Sequence, residues 1–195
     1  MGLVTCDVTV SVDGFVAGPD QTLEQPLARG GETLHRWQFE QSDVNASELA
    51  GILDAGAYIM GRNMFGPVRG GWPEDRRGWW GPNPPYHAPV FVLTHHARGP
   101  VEMDGGTTFS FIEAGIGEAL ARARSAAGAR NVAVAGGAST INQYLAAGLI
   151  DELRLHIAPV LLGSGERLFG DVEPPLWLMP IAARATDSSH TLPTG

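Results

Sequence analysis

A chain of 195 residues with 44% hydrophobic content can bury one sizeable core, and a single domain over 1–195 is the expectation. Its 21 acidic against 13 basic residues leave a net charge of -8, which excludes nucleic acid as a default partner because phosphate-backbone binding needs a basic face. Cys6 is the only cysteine, so an intramolecular disulfide and a thiolate-rich metal site are excluded. No stretch reaches membrane-span length and no basic segment precedes an apolar block at the N-terminus, so a cytoplasmic protein is expected.

Leu3 to Val12 alternates, with Val4, Cys6, Val8, Val10 and Val12 on one face and Thr5, Asp7, Thr9 and Ser11 on the other, which predicts a strand. Cys6 reads there as a small buried hydrophobe. Asp13-Gly14 ends the strand as a turn, and Phe15 to Asp20 continues as an ordered loop. Residues 19–45 are irregular and polar, with a short helix around Glu32 to Phe39; Asn45 or Ser47 caps a helix running to about Ala55.

Ala57 to Met60 is the second strand, followed at once by Gly61-Arg62-Asn63. From Gly66 to Pro89 the chain is crowded with Gly, Pro and the indoles of Trp72, Trp79 and Trp80, too long for a neutral connection. Such a loop either closes over a pocket or forms a dimer contact. Val90 to Thr94 and Thr107 to Ile112 are strands, Ile116 to Ala127 a helix with Leu120 inward, Asn131 to Ala135 a strand, Ser139 to Ala147 a helix, and Asp151 to Ile157 a strand. Strands alternating with helices define an α/β fold: a mixed, mainly parallel central sheet with helices on both faces.

Val132-Ala-Val-Ala-Gly-Gly-Ala-Ser-Thr-Ile141 drives an apolar strand into a small-residue turn and then a helix. Gly136 and Gly137 permit a sharp turn and close approach of a ligand, and the helix start beyond them suits an anion. A tight connection whose glycines serve only packing is the equal alternative on this segment alone. Gly61, Thr94 and Gly136 all lie just past strand ends, the edge where α/β sheets bind ligands. Arg62 offers a guanidinium fork suited to phosphate. Thr94-His95-His96, with Arg98 nearby, fits phosphate or ribose contact better than metal, since HExxH spacing is absent. Asp7, in a strand expected to be central, must be satisfied by hydroxyls such as Thr9 or by backbone donors, or else face a polar pocket as a proton donor. Gly163-Ser-Gly165 misses the dinucleotide fingerprint because Leu168 holds the third glycine position.

Together these segments resemble the dihydrofolate reductase-like superfamily, and within it the branch of the reductase domain of bacterial riboflavin biosynthesis (RibD C-terminal). The likeness is carried, in order, by Ser11-Val-Asp-Gly-Phe-Val-Ala-Gly18, Tyr58-Ile-Met-Gly-Arg-Asn63, Pro89-Val-Phe-Val-Leu-Thr94 and Val132 to Gln143. Asp151 to Pro159 followed by Leu162-Gly-Ser-Gly165 completes it. The resemblance implies an NADPH-dependent reductase acting by hydride transfer on a small heteroaromatic (pterin- or pyrimidine-like) or carbonyl/imine substrate, and a homodimer. It implies that Gly61, Arg62 and Asn63 meet the cofactor's phosphates, with Arg62 favouring the 2′-phosphate. Thr94 and His95 would lie by the adenosine, and Gly136, Gly137, Ala138, Ser139 and Thr140 at the pyrophosphate. The nicotinamide would lie near the first strand and Val16-Ala17-Gly18, with Asp7 as candidate proton donor and no metal.

Three departures from the family pattern keep alternatives open. The acidic residue that anchors a pterin in dihydrofolate reductases has no motif-matched counterpart among Glu40, Asp43 and Glu48. Phosphoribosyl recognition needs further basic residues, for which Arg29, Arg36, Arg69, Arg76 and Arg77 are available. The C-terminus, with Pro193 and Gly195, reads over 186–195 as a tail or a shortened last strand. A non-catalytic nucleotide- or small-molecule-binding protein on the same fold is the alternative; true dihydrofolate reductase activity is a third.

Overall fold

The computed structural model describes residues 2–73, 75–170 and 176–185. The alternating N-terminal segment forms β1 (Val4–Ser11), which lies between two strands drawn from the far end of the chain. These are β7 (Val132–Gly136) and β8 (Glu152–Ala158), both parallel to it. Beyond β7 the sheet continues through β3 (Ala57–Gly61), β4 (Pro89–Leu93) and β6 (Thr108–Ile112), again parallel. A two-residue β5 (Val101–Glu102), not foreseen from its sequence, closes the other edge antiparallel to β6. The seven-stranded order is β5-β6-β4-β3-β7-β1-β8, the mixed, mainly parallel sheet expected.

Alternation along the strands divides the interior into two clusters. Val4, Cys6, Val8 and Val10 of β1 join Ile59 and Val134 on one face. There the helices α4 (Gly115–Ala127) and α5 (Ala138–Ala146) cover them with Leu120, Ala123, Ile141, Tyr144 and Leu145. Burial pushes the Cys6 thiol up to about 12, so it serves as packing. The opposite face carries Tyr58, Met60, Phe65, Val90, Val92 and Phe109. On this side lie a 3₁₀ turn (Gly31–His35), α1 (Arg36–Phe39), α2 (Ala46–Ile52), the single turn α3 (Arg62–Phe65) and the tryptophan-rich loop.

Several expectations need correction. β1 is not central: it is second from the edge, and β8 is the edge strand among the described residues, leaving Leu155 and Ile157 exposed. The Phe15–Ala17 stretch is a short strand, β2, paired antiparallel with β9 (Glu166–Arg167), a partner too distant in sequence for local pattern to reveal. Asn45 occupies the N-cap position of α2, but its amide donates backward to the Trp37 and Gln41 carbonyls rather than capping the helix. That helix ends at Ile52, short of Ala55, because the chain must turn into β3; Gly56 passes so close to Ala127 that a side chain there would collide. Residues 176–185 hold no regular element, and the reading of 186–195 lies outside the described residues.

The tryptophans pack inward. Trp72 meets Phe65 and Phe111 edge-on with centroids 5.4 and 5.3 Å apart, and Trp80 stacks on Phe109 at 5.7 Å. Phe109 is fully buried beneath them, against Phe65 and Tyr86 as well. Phe109→Ala is therefore expected to cost about 3–5 kcal/mol of stability, seen as a lower denaturant midpoint with an unchanged slope.

Candidate active site

Strand β7 supplies the floor. Its Val-Ala-Val-Ala alternation sends Val132 and Val134 into the helix-covered core and turns Ala133 and Ala135 to the opposite face. Two methyl groups between the larger side chains of β3 and β1 leave a trough. The trough opens into a cavity of about 780 Å³ that runs from the ends of β4 and β3 across β7 to β1 and β8. Asp7, Val16, Ala17, Gly61, Arg62, Asn63, Thr94, His95, Gly136, Gly137, Ala138, Ser139 and Thr140 all line it. The structure thus brings these thirteen residues to one cavity, whereas Gly18, Arg29, Arg36, Arg76, Arg77 and Arg98 do not line it.

At one end the glycines create the room. A Cβ on Gly61 would collide with the Thr140 hydroxyl, so strand β3 can only approach α5 this closely through glycine. Gly136 adopts φ +128°, a conformation that favours glycine, and the Gly136–Gly137 peptide is cis. The space where a Gly137 side chain would project holds no protein atom. Gly137 is the N-cap of α5 with no side-chain cap; the first intrahelical bond is Ile141 N–H to its carbonyl. The N–H groups of Ala138, Ser139 and Thr140 are left for other acceptors.

Arg62 is fixed by the long loop. Its Nε donates to the Val68 carbonyl at 3.2 Å and Nη2 to that of Gly70, while the guanidinium lies 4.0 Å from the Trp72 ring centre. Nη1 faces the Thr94 hydroxyl at 3.5 Å. No carboxylate among the described residues pairs with it. Thr94 is buried and its Oγ1 accepts from the His96 amide at 3.1 Å, whereas His95 is exposed on the rim.

The other end is built on β1 and β8. Parallel register sets Asp7 opposite Arg154 and Thr9 opposite His156. Neither Thr9 nor a backbone donor satisfies Asp7. Its side chain, 7% exposed, holds His156 Nε2 at 3.1 Å on Oδ1 and Arg154 Nη1 at 3.4 Å on Oδ2. The His156 ring stacks on Trp37 at 4.8 Å, and Trp37 Nε1 donates to Thr9 Oγ1 at 3.2 Å. His35 and Gln38, joined at 2.9 Å, face the same space; burial holds the His35 imidazole below its ordinary pKa. His156, Trp37, His35 and Gln38 were missed in the sequence. Only His156 had a signal, its place on the polar side of the alternating β8 segment.

The Ser-x-Asp-Gly and Leu-Gly-Ser-Gly motifs meet at Asp13, which does more than turn the chain. Asp13 Oδ1 accepts from Ser11 Oγ at 2.6 Å and from the Leu162 amide at 3.1 Å, and Oδ2 accepts from the Gly163 amide at 2.7 Å. Gly165 then passes against the Ala17 carbonyl with no room for a side chain, which seats β9 on β2 beside the cavity. Among the described residues no three His, Cys, Asp or Glu side chains converge as a metal site, and no helix is long and apolar enough to cross a membrane.

The same architecture occurs in solved structures. A protein of Shewanella sp. PV-4 assigned to riboflavin biosynthesis superposes with a TM-score of 0.62 at 23% identity, covering 90% of this chain and 87% of the other. The Thermotoga maritima diaminohydroxyphosphoribosylaminopyrimidine deaminase/5-amino-6-(5-phosphoribosylamino)uracil reductase superposes at 0.52 with 14% identity, covering 92% of this chain and 51% of that larger protein. The fold is thus that of the riboflavin-type, dihydrofolate reductase-like proteins. The sequence pattern of the RibD C-terminal domain matches residues 3–190, and the chain belongs to that family. The uncharacterized protein YyaP of Bacillus subtilis is 26% identical over 194 residues, 95% of this chain and 89% of its own.

The Ser11 hydroxyl foremost, with the Gly163 and Leu162 amides adding, holds the Asp13 carboxyl down at about 2 from an ordinary 3.8. A depressed folded value stabilises the fold above the unfolded value and loses that contribution as pH falls through the folded one. Stability is therefore expected to decline between pH 3.8 and about 2 through this group. Asp13→Asn should flatten that part of an acid-unfolding profile, and NMR titration of the Asp13 carboxyl should report the low midpoint directly.

Proposed function

We propose that the protein is an NADPH-dependent reductase of a small pyrimidine-like or related heteroaromatic substrate. The observation that carries the reading is one cavity with an anion-suited glycine turn and an arginine lacking a carboxylate partner among the described residues at one end and a buried carboxylate at the other. Family membership supports reductase chemistry, and the Thermotoga protein is by name a 5-amino-6-(5-phosphoribosylamino)uracil reductase.

The residues fit a dinucleotide. The open space over Gly137 and the unpaired N–H groups of Ala138, Ser139 and Thr140 would receive its pyrophosphate. Arg62 would hold a phosphate with Nη1, and Thr94 and His95 would border the adenosine. Ala17 and Val16 would abut the nicotinamide. When bound, NADPH supplies the hydride, and the hard chemistry is its own.

The chain's part is orientation, exclusion of water and a proton. Trp79 and Trp80 wall the cavity from the loop side, so water access is limited there. Asp7 would relay a proton from water to the reduced ring. His156 on Oδ1 and Arg154 on Oδ2 orient its carboxyl. Trp37 keeps the His156 ring plane fixed by stacking.

Two measurements test this. Calorimetric titration should show NADPH binding more tightly than NADH, with Arg62→Ala weakening NADPH by about tenfold and leaving NADH nearly unchanged. Absence of binding by either cofactor would remove the reductase reading. Asp7→Asn should keep NADPH affinity while lowering turnover on an accepted pyrimidine or pterin by about a hundredfold. Full turnover in that variant would take Asp7 out of the mechanism.

A further inference from the structure

The substrate end of the cavity has a charge pattern that discriminates between substrate classes. All thirteen basic residues are arginines, and the residues outside the described ranges contain no arginine or lysine. Every arginine of this chain therefore lies among the described residues.

Only Arg62 and Arg69 reach the cavity wall, and both follow β3. Arg62 leans toward Thr94 at the end of β4, three strands from β1, which at ordinary sheet spacing is roughly 14 Å. The arginines nearer β1 and β8 are committed elsewhere. Arg154 is shared between Glu152 at 2.9 Å and Asp7 at 3.4 Å. Arg36 pairs with Glu40 at 2.8 Å, and Arg184 with Glu48 at 2.6 Å. Arg167 donates to the Asp13 carbonyl and covers the Phe15 ring. Arg29, exposed, lies nearest Asp20 at 3.8 Å; Arg76 and Arg77, on the far side of the sheet from β8, are tied to the Phe65 and Glu102 carbonyls and do not line the cavity.

What faces the substrate instead is two carboxylates, an apolar wall and two imidazoles already engaged, His156 on Asp7 and His35 on Gln38. Asp7 and Glu166 line this end, with Phe39, Leu49, Ile52 and Leu53 as the apolar wall. Each Asp7 oxygen is engaged once, so the carboxylate keeps acceptor positions for a ring N–H or an amino group. Among the described residues a phosphate brought here would meet the carboxylates of Asp7 and Glu166, no guanidinium on the cavity wall at this end, and imidazoles whose partners it would have to displace.

Resting on the reductase reading above, we infer that this site takes an unphosphorylated heteroaromatic ring, neutral or cationic, whose N–H or amino edge is held by Asp7. The ribosyl phosphate named in the substrate of the Thermotoga relative would find no arginine cradle at this end among the described residues. The inference names binding preference only, so it can be tested without turnover.

The experiment is calorimetric titration of the full chain with two matched pairs. One is 5-amino-6-(ribosylamino)uracil and its 5′-phosphate; the other is 2,4-diamino-6-hydroxymethylpteridine and its phosphate ester. On at least one ring the unphosphorylated member should bind more tightly by about tenfold or more, and neither ring should prefer its phosphate. Glu166→Gln and Asp7→Asn should each narrow the gap by relieving repulsion of the ester. Equal or tighter binding of a phosphate ester overturns the inference, as does failure of both unphosphorylated rings to bind at millimolar concentration. NADPH titrated alone keeps the two readings apart. Cofactor binding with a preference for phosphate esters sinks only this inference, and ring discrimination without cofactor binding sinks only the reductase reading.

Discussion

The pairing of β1 with strands that arrive more than a hundred residues later is the constraint on which the rest depends. Between β7 and β8, β1 is held in one register, with Thr5 against Ala133 and Glu152 and Asp7 against Arg154. Because side chains alternate, that register sends Val4, Cys6, Val8 and Val10 into the core and Asp7 and Thr9 into the cavity. A slip of one residue would bury the carboxylate among α4 and α5 and place valines in the trough. The cost of burying an unpaired carboxylate makes the choice one-sided.

From that register the site follows as a division of labour along one sheet. The glycine-rich ends of β3 and β7 bring backbone N–H groups and open space to one end, where Arg62 stands with no carboxylate partner among the described residues. The β1–β8 edge brings paired side chains to the other, where charges are compensated within the protein. Ala133 and Ala135 between them keep the passage clear. The long loop serves both as wall and as support, since its carbonyls at Val68 and Gly70 hold Arg62 and its indoles complete the second core.

Asp13 shows how a small motif can act across the whole chain. Its turn ties to the amides of Leu162 and Gly163, and so fixes β9 against β2 at the mouth of the site. Two motifs that read as unrelated turns are thus one structural unit. The placement of Val16, Ala17 and Glu166 on the cavity wall depends on it.

Most strands and helices were legible because their periodicity is local: β1, β3, β4, β6, β7, β8, α4 and α5 all lie within a residue or two of where alternation or helical spacing puts them. The glycine turns and the threonine at strand ends were legible for the same reason, since the edge on which a parallel sheet presents its ligand-binding turns follows from strand direction. What the sequence by itself determined is therefore the main strands and helices, the core faces and the turns at one end of the cavity. Tertiary structure alone decided that β1 stands next to the edge, that β2 pairs with β9, and that Asp7 is held by His156 and Arg154. It also decided that the arginines near the substrate end are spent on carboxylates and carbonyls. Those facts are partnerships between residues distant in the chain, and local composition carries no information about which donor reaches which acceptor once the sheet has closed.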